Sequence, residues 1–291
     1  MHKQELAISA VRVNALEWLE STAEGSEKRE AHWLKIHGDA ALATWLAKYT
    51  PTHIYFGSEF CEHLLPSPRT LEQAIEYARA NGFKFALLTP IASPNVLCRL
   101  SELLSLLPEG AEVVVNDWGV AASVAPYFPK LRLIAGRVLC RMTKDPRLGN
   151  DWAQQCSHNL DSPWLQALLQ RLNIEKVEID MPLFANATAF GHVPLLQAVH
   201  LPYFCIAKGR MCRPGSLRIK GPERFAVGRP CHKECLALSV ATSRPGSDDA
   251  WETIQMGNTL FGRHSAAMLE VLMTAVGNGM IPRLVVSGES L

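Results

Sequence analysis

No run of about 18 apolar residues occurs anywhere in this 291-residue chain, so the sequence offers no membrane-spanning helix. It has no charge of either sign to spare: 29 Lys and Arg stand against 28 Asp and Glu, a formal charge of +1. No broad electrostatic field therefore draws it to nucleic acid or to an anionic membrane. The opening segment MHKQELAISAVRVNALEWLES lacks the apolar core of a signal peptide and carries Glu5, Arg12 and Glu17, so the expected compartment is the cytoplasm. Gly-x-Ser-x-Gly, His-Glu-x-x-His, Gly-x-Gly-x-x-Gly and the Walker loop are all missing, which removes the signatures of the common hydrolases, zinc proteases and nucleotide enzymes. There is no solenoid repeat and no low-complexity tract.

What is present is apolar material, 48% of the residues, and a rhythm in how it is laid out. Helical patterns alternate with short β-rich runs: DAALATWLAKYT then HIYFG, RTLEQAIEYARANG then FKFALLTPI, VLCRLSELLSLLPEG then AEVVVND. The rhythm continues with GVAASVAPYFP then LRLIAGR, SPWLQALLQRLN then KVEIDMP, and RHSAAMLEVLMTAVGNG then MIPRLVVS. A helix between each pair of strands is the pattern of parallel βαβ crossovers. Six or seven such units predict a single α/β domain over 1–291 built as a (β/α) TIM-barrel-like fold, with a doubly wound sheet as the alternative. The stretch 206–250, rich in Gly, Pro, Arg and Ser, breaks the rhythm and is expected to be an irregular insertion.

Eight cysteines remain to be explained, and four of them, Cys205, Cys212, Cys231 and Cys235, fall within 31 residues. Thiols stay reduced in a cytoplasm, so clustered ones point to metal or cofactor ligands rather than disulfides. Cys231 and Cys235, four apart, would leave one face of a helical turn about 5–6 Å apart at Cβ, suited to gripping one centre. An irregular segment with little apolar content needs such a cross-link to be ordered. Zinc favours matched pairs of closely spaced cysteines, and here one pair has three intervening residues and the other six. Iron–sulfur clusters accept looser spacing, since they take thiolates from several directions. An iron–sulfur cluster, a zinc ion and unrelated thiols all stay open on spacing alone. Cys98, Cys140 and Cys156 are expected to be ordinary small buried side chains.

The segments CIAKGRMC and CHKEC resemble the cysteine pattern of the collagenase-like peptidase family, the U thirty-two class: a Cys, six residues, a Cys that ends a Gly-Arg-Cys-like step, then Cys-x-x-x-Cys. Here Gly209-Arg210-Met211-Cys212 carries one extra residue in that step. YFGSEFC, from Tyr55 to Cys61, VVVNDWGVA around Asp117 and Gly119, FGHVPLLQAVHLPYFCIA, and the closing IQMGNTLFGRHSAAMLEVLMTAVGNGMIPRLVV are similar to a narrower branch of that family. The branch acts in oxygen-independent ubiquinone biosynthesis as a pair of paralogous chains. The resemblance implies a barrel carrying one 4Fe-4S cluster, a paralogous partner subunit, and an aromatic quinone precursor as substrate. It implies Cys205, Cys231 and Cys235 as ligands, with the fourth drawn from Cys61 in the narrower branch or from Cys212 in the wider family. It also leaves two other functions open: a peptidase, as the family name states, and an Fe–S accessory to RNA base hydroxylation. For the latter, the basic run from Arg210 to Arg229 could be a contact surface or a solvated loop.

Other side chains at expected strand ends could serve a site there. Asp117 and Asp180 could orient a substrate hydroxyl or cap the next helix. Arg137 could fork onto an acidic substrate or pair at the surface. His192 and His264 follow Phe-Gly steps and read as ligands or structural histidines. His232, between two candidate ligands, could donate to a cluster sulfur or simply be exposed. The sequence assigns no catalytic residue.

Overall fold

The computed structural model describes residues 4–140, 142, 160–183, 190, 195–209, 212–225, 231–242 and 252–290. Eight strands, numbered in chain order with the four strands of a second sheet falling before the last, form a closed barrel. They are β1 (Glu5–Ala10), β2 (His53–Gly57), β3 (Lys84–Leu88), β4 (Glu112–Val115), β5 (Arg132–Ala135), β6 (Lys176–Ile179), β7 (Leu196–Leu201) and β12 (Arg283–Ser287). Their order around the barrel is β1-β12-β7-β6-β5-β4-β3-β2, and every neighbouring pair is parallel. The TIM-barrel-like expectation therefore holds. The barrel has more strands than the six or seven units legible in the sequence. β1 lies in the opening stretch, and β7 reads in the sequence as the lead-in to a cysteine.

The outer layer follows from local chemistry. Helices α1 (Ser26–His37), α2 (Ala40–Leu46), α3 (Pro68–Ala80), α4 (Pro94–Ser105), α5 (Trp118–Tyr127) and α6 (Pro163–Arg171) cover the strands. A single turn, α7 (Arg213–Ser216), and a longer α8 (Ala266–Gly277) follow. α3 shows the logic. Ser67 caps it by accepting from the Thr70 amide at 3.2 Å, Pro68 opens its first turn, and Leu71, Ala74 and Ala78 bury one stripe. Strand residues with the opposite parity to the interior, such as Ile8, Ile54, Leu87, Val113 and Val286, join this stripe in one continuous core.

Alternation along each strand turns every second residue into the barrel. The middle interior layer is Ala7, Tyr55, Ala86, Val114, Ile134, Ala198 and Val285, with Glu178 from β6 at the same level by alternation and fully buried. Below it, at the N-terminal ends of the strands, Arg283 bonds the Tyr55 hydroxyl at 2.7 Å, His53 Nε2 at 2.9 Å and Glu5 at 2.8 Å. It also pairs with Glu112, which takes a second bond from Lys176 at 2.6 Å. Burial alone would raise the Glu112 pKa, but Arg283 and Lys176 overcome it and hold the carboxyl at about 2. A depressed carboxylate pKa adds stability that is present above the unfolded value and lost as pH falls through the folded one. Acid titration of the wild type should therefore lose stability between the ordinary carboxylate range and about pH 2, and Glu112→Gln should flatten that loss, as read by denaturant midpoints against pH.

A second sheet stands beside the barrel. β8 (Tyr203–Lys208), β9 (Ser239–Thr242), β10 (Thr253–Met256) and β11 (Thr259–Arg263) pair antiparallel in the order β8-β11-β10-β9. The stretch 206–250, expected to be irregular, thus contributes the end of β8, all of β9 and the turn α7. Among the described residues, no helix is long and apolar enough to cross a membrane.

Candidate functional site

The C-terminal ends of the barrel strands carry most of the chain's unusual side chains. Gly57 ends β2 with φ of 119°, and a Cβ there would stand 2.6 Å from the Leu88 carbonyl oxygen, so only glycine fits the turn. The chain leaves that turn as Ser58-Glu59-Phe60-Cys61, and the Ser58 hydroxyl accepts from the Phe60 and Cys61 amides at 3.4 and 3.2 Å. This small turn folds Cys61 over the barrel mouth, where it is buried.

Three thiols pack together there, with a fourth near enough to be felt electrostatically. Cys61 and Cys235 form one buried cluster with Leu64, and Cys212 packs on it. Cys235 hydrogen-bonds Cys212 and feels the charges of Cys212, Cys61 and Cys231, while Cys61 feels those of Cys231 and Cys212. The Cys212 thiol accepts from the Gly215 amide at 3.4 Å, and the Cys231 thiol from the Lys233 amide at 3.4 Å. Lys233 sits at φ of 58°, a left-handed turn between the two cysteines. The β10–β11 turn ties the pieces together. Gly257 lies against Cys235, and its carbonyl accepts from the Arg213 amide at 3.0 Å. Asn258 donates to the Phe60 carbonyl at 2.9 Å and to that of Gly209 at 3.1 Å.

Of the cysteines expected as ligands, Cys61 and Cys235 share one buried cluster on which Cys212 packs, and Cys231 lies within reach of their charges. Cys205 is placed elsewhere. It lies on β8 opposite Phe261, packs against Phe60, Tyr203 and Phe261, and its amide donates to Asp180 at 3.2 Å. The thiols also resist ionising alone. The Cys212 bond and then burial raise the pKa of Cys235, and burial first of all raises that of Cys61. Metal binding relieves that repulsion. Lys208, whose own pKa burial lowers, lies in the field of Cys61 and Cys205 and supplies a nearby cation.

The spacing of the thiols bears on which metal fits. A tetrahedral zinc with Zn–S bonds of about 2.3 Å needs sulfurs about 3.8 Å apart. Among the described residues, the trio of metal-capable side chains whose ligand atoms all lie within 4.8 Å is Glu59, Glu178 and His200, not any three of the thiols. Backbone amides donate to two of the four sulfurs, those of Cys212 and Cys231.

Beside the thiols lies a second, charged layer. Arg137 is buried at the end of β5 and forks onto Glu59 at 3.0 and 2.8 Å, with its remaining arm on Asp180 at 2.9 Å and the Tyr203 carbonyl at 3.2 Å. Its guanidinium also lies 5.0 Å from the centre of the Phe60 ring. Committed in this way, Arg137 is neither a surface ion pair nor a fork free for a substrate carboxylate. His200, at the end of β7, bonds Glu178 at 2.9 Å and stands 4.0 Å from Glu59. A cavity of about 110 Å³ joins the two layers, touching Glu59, Arg137 and His200 on one side, Cys235 on another, and Phe60 and Phe261 between.

The remaining candidates lie in several settings. Asp117 caps α5, its carboxylate accepting from the Gly119 and Val120 amides at 2.7 and 3.2 Å. Asp180 is held between Arg137 and the Cys205 amide. His264 stacks on Phe204 with ring centres 5.7 Å apart, and His232 is exposed. Cys98 is exposed on α4, against the expectation of burial, because it falls on the solvent side of a stripe set by Val96, Leu100 and Leu103. Cys140 is buried, and burial raises its pKa. His192 and Cys156 lie outside the described residues. Sequence inspection missed Glu59, Glu178 and His200. The signal was there in KVEID, where period two puts Lys176, Glu178 and Asp180 on one face.

No family model and no curated protein matches the chain. Among solved structures it is similar to a U32 peptidase at 10% identity and a TM-score of 0.46, over 99% of this chain and 93% of that one. It is similar to dihydropteroate synthase of Xanthomonas albilineans at 12% identity and 0.39, over 98% and 87%. A group IV chitinase of Ostrinia furnacalis aligns at 8% identity and 0.38, over 98% and 91%.

Proposed function

We propose that this chain holds one 4Fe-4S cluster on Cys61, Cys212, Cys231 and Cys235. In this proposal it works as UbiV does, beside a UbiU-like paralogous subunit, in the oxygen-independent hydroxylation of an aromatic quinone precursor in the cytoplasm. The observation that carries the proposal is the gathering of thiols from three chain segments around Cys235: Cys61 and Cys212 packed with it and Cys231 within reach of its charge.

When bound, such a cluster supplies one-electron chemistry. The chain's own part is to hold and shield it. Ser58 and Gly57 set Cys61 in place, the β10–β11 turn fixes Cys235 and Cys212 against the strand end, and the Gly215 and Lys233 amides donate to the ligand sulfurs. Leu64 and Leu236 pack in the same apolar cluster as Cys61, Cys212 and Cys235. The apolar rings of Phe60 and Phe261 line the adjoining cavity, where a flat ring can lie next to Cys235.

Protein purified without oxygen should be brown, absorb broadly near roughly 400 nm, and carry about four irons and four acid-labile sulfides per chain. A colourless protein holding one zinc would replace the proposal with a structural zinc site.

A further inference from the structure

We propose that His200 and Glu178 form a proton-donating pair for the cavity at the barrel mouth, serving a small uncharged ring that carries a hydroxyl or carbonyl oxygen. The pair stands on neighbouring strands, Glu178 in the middle layer of β6 and His200 one layer higher on β7, joined Nε2 to Oε2 at 2.9 Å. His200 lines the cavity, while Glu178 lies beneath it, fully buried, its Oε1 without a partner in hydrogen-bonding geometry.

Several charged and titratable groups face the pair from the surrounding strands. They are Arg137 from β5, Tyr55 from β2, Glu112 from β4, Arg283 from β12, Glu59 beyond the end of β2, and the Cys140 thiol beyond β5. Burial dominates. Against the pull of Arg137, Arg283 and the nearby Tyr55 hydroxyl, and with Glu112 pushing the same way as burial, the carboxyl is raised to about 8. At neutral pH the pair therefore holds a transferable proton close to the working range, where general acids are most effective.

A divalent cation is the competing occupant, since the ligand atoms of Glu59, Glu178 and His200 lie within 4.8 Å of one another. Arg137 stands against it. Both Glu59 oxygens are spent on the guanidinium, which already supplies the positive charge that a metal would bring. The ligand's class follows from the same accounting. The charges on the wall are matched, Arg137 with Glu59 and Asp180, and Arg12 with Glu289 at 2.7 Å, so the cavity offers an anion no free cation among the described residues. Phe60, Phe261 and Tyr203 offer ring faces instead.

In the transfer, a nitrogen–hydrogen bond of His200 breaks as an O–H bond forms on the ligand's carbonyl oxygen, and the Glu178 carboxyl passes its proton to His200. Glu178 is left a carboxylate, the ligand gains one positive charge, and no other reactant is consumed. The reverse step returns the proton from the ligand oxygen to the pair. This pair operates whether or not iron occupies the thiols, so it is tested in iron-free protein.

Infrared difference spectra of the wild type should show a protonated carboxyl band at neutral pH that disappears as the pH passes about 8 and is absent in Glu178→Gln. Ligand-detected NMR should show phenol binding in preference to toluene, and His200→Leu should weaken phenol by about tenfold, the worth of one good hydrogen bond, while leaving toluene unchanged. A carboxyl already ionised at neutral pH in the wild type, or phenol and toluene weakening together, would overturn the assignment. The wild-type spectrum needs no variant to fold.

Discussion

Replacing Cys212 with serine should cut the iron of the anaerobically purified protein from about four per chain to below one and bleach the visible band, while Cys205→Ser should leave both close to wild type. The contrast is sharp because the two cysteines lie only seven positions apart on the same stretch. Cys212 bonds Cys235 directly and caps α7, its sulfur accepting from the Gly215 amide at 3.4 Å. Cys205 belongs to a strand and packs among aromatic rings. Serine keeps the size and can still accept the Gly215 bond, so loss of iron would report the lost sulfur rather than a collapsed turn. If Cys205→Ser bleaches the protein and Cys212→Ser does not, the ligand set is wrong.

Arg137→Met should be the most destabilising single change at the barrel mouth, by about 3–5 kcal/mol, because it removes the guanidinium that neutralises the buried carboxylates of Glu59 and Asp180. Both are almost wholly buried, at 6% and 2% exposure, so water cannot take over for the guanidinium. Methionine roughly fills the space of the stem, which isolates the charge effect from a cavity effect. Denaturant midpoints of the purified protein give the loss, and adding Glu59→Gln and Asp180→Asn to the variant should recover part of it. A cost below about 1 kcal/mol, the scale of an exposed pair, would show that the network is open to solvent.

The barrel was legible because its cues are local. Runs such as HIYFG and VVV, each preceded by an amphipathic stripe, specify strand and helix without help from the rest of the chain. β1 and β7 were harder. ELAISA and LQAVHL are each followed by chain that does not read as a crossover helix, so nothing marks them as members of the same sheet. The cysteine centre was legible in part. Spacing draws attention to Cys231 and Cys235, but whether Cys205 or Cys212 joins them depends on the β10–β11 turn, whose Gly257 and Asn258 lie well beyond the cysteines in sequence. The acidic and basic layer was the least legible. Glu59, Arg137 and His200 are brought together by barrel closure, and no spacing rule links residues 78 and 63 positions apart. Only Glu178 left a trace, since a carboxylate between Val177 and Ile179 in a strand flanked by helices has to point into the barrel.

The most direct measurement of the central claim is X-ray absorption at the iron edge on protein isolated without oxygen. Four cysteines around one cluster predict a first shell of sulfur alone together with a short iron–iron vector. An iron shell of nitrogen and oxygen, or a sample whose only metal is zinc, would contradict it.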